Sequence, residues 1–231
     1  MYLYDVNNPK SYNNKMGHYK TRRVLEFINQ YANRSMRILD IGGGSGRFAV
    51  PLYESGHNVI LVEKSREAVD SLSSRCSGVK CIVGEFDKVE FDKEDKFDLI
   101  LMIEFLLSIK DWPSTFRKVH SLLSDGGAVI FTATNKYSWR LLAKKAFLRE
   151  KEDFTIFSIS EHEEILEQSG FGIRDLEGYL WIPCRLASNS VLVDIFAWIE
   201  KALGLKRFVG QSPWLLYAVQ KQPVRAQGDK E

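Results

Sequence analysis

An aspartate and three glycines stand at alternate positions, Asp40-x-Gly42-x-Gly44-x-Gly46, at the end of the short apolar run Arg37-Ile38-Leu39-Asp40-Ile41. Glycines placed there let the backbone take positive φ and let a ligand come close to it. A helix starting just beyond them adds unpaired N–H groups and a partial positive charge. The chemistry this arrangement suits is nucleotide binding, and the spacing excludes two nucleotide classes. A dinucleotide fingerprint counted from Gly42 needs glycine or alanine at position 47, which is Arg47, and counted from Gly43 its second glycine falls on Ser45. No Gly-Lys-Ser/Thr follows, so the loop is not a P-loop. A second acid, Glu63, closes the next apolar run, 17 residues after Gly46. A carboxylate at the end of that strand is placed to accept hydrogen bonds from ribose hydroxyls.

Positioning such a loop takes strands that end where the ligand sits. Arg37–Ile41, Val59–Val62, Val79–Val83, Phe97–Met102 and Ala128–Thr132 each read as a short buried strand. Between them lie helical patterns at 46–54, 65–74 and from Asp111-Trp112-Pro113 onward, the last stopped by Gly126 and Gly127. A further amphipathic helix, over 19–32, precedes the first strand. Alternating strands and helices with continuously apolar strands predict an α/β, doubly wound, largely parallel sheet with helices on both faces. The second half breaks the alternation. It reads as a helix over 160–169 with a capping box Ser160-x-x-Glu163, a strand over 171–179, an apolar helix candidate over 189–205 and a strand over 214–220.

These features, taken in order, resemble the class I methyltransferases that use S-adenosylmethionine (SAM). The glycine loop is similar to their motif I. Gly84-Glu85-Phe86 after the third strand resembles the family's Gly-Asp-hydrophobic step, with Glu85 in place of the commoner Asp. Phe97-Asp98-Leu99-Ile100 resembles the strand between cofactor and acceptor, and Leu123-Ser124-Asp125-Gly126-Gly127 the Leu-Pro-Gly-Gly turn, with Asp125 in place of Pro. The resemblance covers about residues 20–180 and the last strand. It implies a seven-stranded sheet of order 3-2-1-4-5-7-6 with strand 7 antiparallel, SAM as methyl donor and S-adenosylhomocysteine as product. By the same resemblance Asp40, Gly42, Gly43, Gly44 and Gly46 cradle the methionine end and Glu63 the ribose. Lys64 lies along the adenine, Glu85 and Phe86 frame it, and Ile103 to Phe105 wall the cleft. The family's acidic residue followed by His has no counterpart after Ile103-Glu104-Phe105. The candidates for a general base are therefore His18, Tyr19 and Tyr137. Asp98 reads as structural, and Glu104 faces either cleft or solvent. His18 and His162 fall in segments bordering the cleft, His162 reading as a surface residue. His57 and His120 read as bystanders.

The expected reaction moves a methyl group to a small-molecule acceptor, which could be apolar, more often at oxygen. RNA or protein methylation and a non-catalytic SAM-binding subunit are the alternatives. With 231 residues, one domain over 1–221 is expected, with a helical lid over 1–32, a helical insertion over 183–211 on the acceptor side and a disordered tail over 222–231. The 189–205 segment is too apolar all round for an exposed helix, so it should be a buried lid, a homodimer interface or a cover over an apolar acceptor. A net charge of +2 gives no nucleic-acid footprint, and the three cysteines include no CxxC pair and so no zinc signature. No apolar run is long enough to span a membrane and no signal peptide is evident, which makes the expected location the cytoplasm. Replacing Gly44 by Val should abolish SAM binding in calorimetry, because a β-branched side chain would fill the loop. Unchanged affinity would remove the loop assignment.

Overall fold

The computed structural model describes residues 13–33, 35–147, 156–184 and 188–222, apart from the side chains of 144–147. Seven strands form one sheet: β1 (Arg37–Ile41), β2 (Asn58–Glu63), β3 (Lys80–Val83), β4 (Phe97–Met102), β5 (Leu123–Thr134), β6 (Phe171–Tyr179) and β7 (Trp214–Lys221). Their order is β3-β2-β1-β4-β5-β7-β6. Neighbours from β3 to β5 pair in parallel, and β7 runs antiparallel to both β5 and β6. The helices are α1 (Lys15–Ile28), α2 (Ala49–Glu54), α3 (Arg66–Ser73), α4 (Trp112–Leu122), α5 (Trp139–Phe147), α6 (Ile159–Gln168) and α7 (Leu192–Ala202).

Side chains that alternate along each strand feed two cores. Ile38, Leu61, Leu99, Leu101, Ile130 and Leu216 face the layer that holds α1, α2, α3 and the inner side of α7. Leu39, Ile60, Ile100, Val129, Phe131 and Tyr217 face α4 and α6. Strand order reverses direction at β1, which lies between β2 and β4. The crevice at the carboxyl ends of β1 and β4 is where an open α/β sheet receives its ligand. The glycine loop lies there.

Several local expectations change. Helix α1 starts at Lys15 because the Asn14 side chain accepts the Gly17 N–H at 2.9 Å and caps it, and it ends at Ile28. The glycines at 126 and 127 do not stop α4; the helix ends at Leu122, and both glycines lie inside β5. There the register jumps from Phe97↔Leu123 to Leu99↔Ala128, a bulge in which Gly126 takes φ +78°. The capping box is two residues earlier than the sequence suggests: Ser158 caps α6 and Glu161 closes the box. Helix α5 follows Ser138, whose hydroxyl accepts the Leu141 N–H. His162 is buried rather than on the surface. It stacks on Trp112 with centroids 5.2 Å apart and meets the Tyr217 hydroxyl at 3.0 Å, and burial pulls its pKa down to about 4.

The apolar segment after β6 is only partly buried within the single chain. Helix α7 buries Val193 and Glu200 and turns Val191, Leu192, Ile195 and Trp198 outward. Its buried side combines apolar packing, Val193 in the core with Phe196 and Ala197 against it, with a polar contact. Tyr19 Oη donates to Glu200 Oε2 at 2.5 Å, and the Trp181 N–H donates to the same oxygen at 3.2 Å. Of the expected lid, insertion and tail, residues 1–12, 185–187 and 223–231 lie outside the described residues.

Candidate functional site

At the carboxyl end of β1 the loop residues converge on two carboxylates. Asp40 is buried, accepts a hydrogen bond from the Ala49 backbone, and its Oδ2 finds no hydrogen-bond partner among the described residues. A side chain at Gly43 would place its Cβ 2.5 Å from that oxygen, so glycine there keeps the carboxylate open. Gly42, at φ +70°, brings its backbone under Phe105, whose Cδ2 would be 2.7 Å from a Cβ. Gly46, at φ +83°, packs against Leu72 in the same way. Glu63, also buried, accepts the Gly44 N–H at 3.1 Å and the Ser65 N–H at 2.9 Å, tying the end of β2 to the loop.

The expected apolar wall assembles in part. Phe86 and Phe105 meet edge to face, with centroids 6.2 Å apart, while Ile103 is buried in the other core. The structure thus brings Asp40, the glycines, Glu63, Phe86 and Phe105 together. Lys64 and Glu85 are exposed, and Glu85 pairs with Lys88 at 2.5 Å. Burial and the nearby Glu63 push the Asp40 carboxyl up to about 7. Two buried carboxylates, one with an oxygen that lacks a donor, are chemically suited to a ligand that carries positive charge at one end and a diol further on. SAM has both, as a sulfonium with an ammonium and a ribose.

A family model described as a methyltransferase domain matches residues 12–176. The chain belongs to that family. A ubiquinone biosynthesis O-methyltransferase of Rickettsia prowazekii is 22% identical over 205 residues, covering 82% of this chain and 81% of the relative. A tRNA 5-carboxymethoxyuridine methyltransferase of Escherichia coli is 30% identical over 105 residues, 42% of this chain and 39% of the relative. The crystal structure of an S-adenosylmethionine-dependent methyltransferase from Mesorhizobium loti superposes with a TM-score of 0.60 at 22% identity, covering 81% of this chain and 91% of that one. The chain is a SAM-dependent methyltransferase with the class I fold.

The methyltransferase holds a charged cluster that sequence reading missed. Lys20 Nζ lies 2.6 Å from Glu104 Oε1, and Arg47 Nη1 lies 3.5 Å from the same oxygen. All three are buried or nearly so. Glu104 sits at φ +60°, a left-handed position rare for a side-chain residue, and its N–H donates to Thr132 Oγ1 at 2.7 Å. Burial pushes its carboxyl up, but Lys20 and Arg47 together hold it below the ordinary range. Glu104 therefore faces neither solvent nor an open cleft; it ties the end of β4 to α1. Arg47, which directly follows the loop, also donates from Nε to Thr21 Oγ1 at 2.8 Å. The signal was available. Lys20 falls within the inward stripe Met16-Lys20-Val24-Phe27 of α1, and a lysine on a buried stripe needs a partner.

The three base candidates do not gather. His18 is exposed on α1. The Tyr19 phenol is pushed far up by burial and by Glu200, to which it donates, so it keeps its proton. Tyr137 is exposed, with its N–H bonded to Asn135 Oδ1 at 3.0 Å. Asp98 accepts the Arg37 N–H at 2.8 Å and faces the β5 bulge through Ser124, a structural role.

The raised pKa of Asp40 has a measurable consequence. The folded chain keeps a proton that the unfolded chain has lost between about pH 4 and pH 7, so stability falls as pH rises through that window. Replacing Asp40 by Asn should stabilise the ligand-free protein by more than about 1 kcal/mol at pH 8 and by much less at pH 5. Thermal melts of both proteins at the two pH values check this; an equal effect at both would contradict it.

Proposed function

We propose that the enzyme transfers the methyl group of SAM to an oxygen of a small-molecule acceptor, working in the cytoplasm. The observation that carries this reading is the pairing of Asp40, with its unpartnered buried oxygen, and Glu63 across the glycine loop. In it Asp40 meets the charged methionine end and Glu63 the ribose, while Phe86 and Phe105 frame the apolar side of the cleft. The cofactor, when bound, supplies a methyl group already activated on a positively charged sulfur. What remains for the chain is alignment, which provides much of the rate in an in-line displacement.

Alignment by exclusion suits the acceptor side. Lys20, Glu104 and Arg47 hold α1 against the end of β4. Tyr19 keeps its proton for Glu200 and the three base candidates do not gather, which favours an acceptor oxygen that ionises readily, such as a phenol, enol or carboxylic acid. The curated relative matched over four-fifths of the chain is an O-methyltransferase by name, which supports oxygen over nitrogen. RNA methylation is the second reading, favoured by the tRNA enzyme that matches 42% of the chain.

The test is a SAM-turnover assay over a panel of phenols, enols, carboxylic acids, amines and unmodified tRNA, counting S-adenosylhomocysteine formed. Turnover with members of the first three classes and none with amines or tRNA is expected. Turnover with tRNA alone would move the enzyme to the second reading. SAM binding without turnover on any of them would leave a SAM-binding subunit.

A further inference from the structure

The outer face of α7 is apolar by construction. Val191, Ile195 and Trp198 follow the i, i+4, i+7 spacing of one helical stripe, and Leu192 and Leu203 widen it. Trp198 is 70% exposed and Val191 61%, and Phe208, shortly after the helix in the chain, is exposed as well. Proteins seldom leave contiguous apolar surface of this kind in water without a use.

The fold specifies this exposure. Glu200, one of the three charged residues of the helix, is on the inner side, where it accepts from Tyr19 Oη and the Trp181 N–H. Lys15 pairs with Asp194 at the flank, and the Met16 N–H donates to Ser188 O just before the helix. Rotating α7 to hide Trp198 would tear Glu200 from two donors and break both contacts with α1. The rotation is therefore set by these polar bonds together with the burial of Val193, and the apolar stripe is presented rather than left over.

The rim of the stripe is basic. Lys201 and Arg207 are exposed, and Lys206, also exposed, pairs with Glu177 at 2.5 Å. The acids of the segment are already engaged: Asp194 with Lys15, and Glu200 with Tyr19. An isologous contact between two copies would bring this basic rim against itself without free countercharge. A helix with tryptophan, phenylalanine and branched aliphatics on one side and lysine and arginine beside them suits the interface of an anionic bilayer.

We propose that the outer face of α7, with Trp198 at its centre and Lys201 and Arg207 at its rim, docks the enzyme on an anionic lipid surface. No described helix is long and apolar enough to cross a membrane, so the association is peripheral. Through Tyr19 and Lys20 on α1, the docked face is linked to Glu104 at the end of β4. The surface would thus lie beside the part of the fold that closes the cleft.

The experiment is co-sedimentation of the full chain with vesicles of phosphatidylcholine alone, and of two parts phosphatidylcholine to one part phosphatidylglycerol. Binding to the mixed vesicles is expected, weaker on phosphatidylcholine alone and weakened by salt, with a blue shift of tryptophan emission that Trp198→Phe removes. Trp198→Asp should reduce the bound fraction at least about tenfold, and Lys201→Glu with Arg207→Glu should do likewise on the anionic vesicles. Both variants should keep the melting temperature and SAM affinity of the parent, since these side chains are exposed. Absence of vesicle binding, equal binding by Trp198→Asp, or a concentration-dependent dimer in sedimentation velocity that Trp198→Asp dissolves would overturn the proposal; the last would make a second copy the occupant. The assay contains neither SAM nor acceptor, so its failure leaves the methyl-transfer reading standing.

Discussion

Two carboxylates buried side by side at the ends of adjacent strands are the constraint around which this methyltransferase is arranged. Burial of Asp40 raises the free energy of its ionised form, and Glu63 nearby raises it further. The fold tolerates this because backbone donors hold Glu63 from two directions, Gly44 and Ser65, and because Gly43 keeps a Cβ away from Asp40 Oδ2. A chain optimised for stability alone would place an apolar residue at position 40, as it does at its neighbours Leu39 and Ile41. A buried acid at the carboxyl end of the central strand is intelligible as the receptor for a ligand's positive charge.

The rest of the structure follows outward from that point. Parallel pairing of β1 with both β2 and β4 brings Asp40, Glu63 and the segment after Met102 to one end of the sheet. The segment after β4 then makes a left-handed turn at Glu104, and the buried ion cluster with Lys20 and Arg47 uses that turn to seat α1. Helix α1 in turn orients α7 through Tyr19 and Glu200. A chain of polar contacts therefore runs from the glycine loop, through Arg47 and α1, to α7. Buried ion pairs of this type add little net stability, since desolvation offsets most of the attraction, but they fix one geometry over its neighbours.

How legible this was in the sequence depended on the range of the interaction. Strands β1 and β4 were read to the residue, because a buried strand is largely apolar and is bounded by turn residues; β6, half-buried and carrying Arg174, Asp175 and Glu177, was bounded by Gly170 and by the end of its apolar–polar pattern. The glycine loop and Glu63 were legible because close ligand approach restricts residue type at fixed spacing. The β5 bulge was hidden because glycine signals both a helix end and a bulge, and only the pairing with β4 distinguishes them. The cap of α6 slipped by two residues because Ser158 and Ser160 each have an acid three positions on. The orientation of α7 was not legible, because hydropathy says which side is apolar, not which side is inward; Glu200 helps to set it through partners 181 residues and 19 residues away. The Lys20–Glu104 pair joins residues 84 positions apart, and only the unusual lysine in the α1 stripe hinted at it.

The measurement that bears most directly on the central constraint is proton release on SAM binding, obtained by calorimetry at pH 7 in buffers of different ionisation heat. If Asp40 receives the positive end of the ligand, its pKa of about 7 must drop on binding, and up to about half a proton should leave the protein. That release should vanish in Asp40→Asn. Binding without proton release in the parent protein, or the same release in the variant, would contradict the assignment of Asp40 as the receptor.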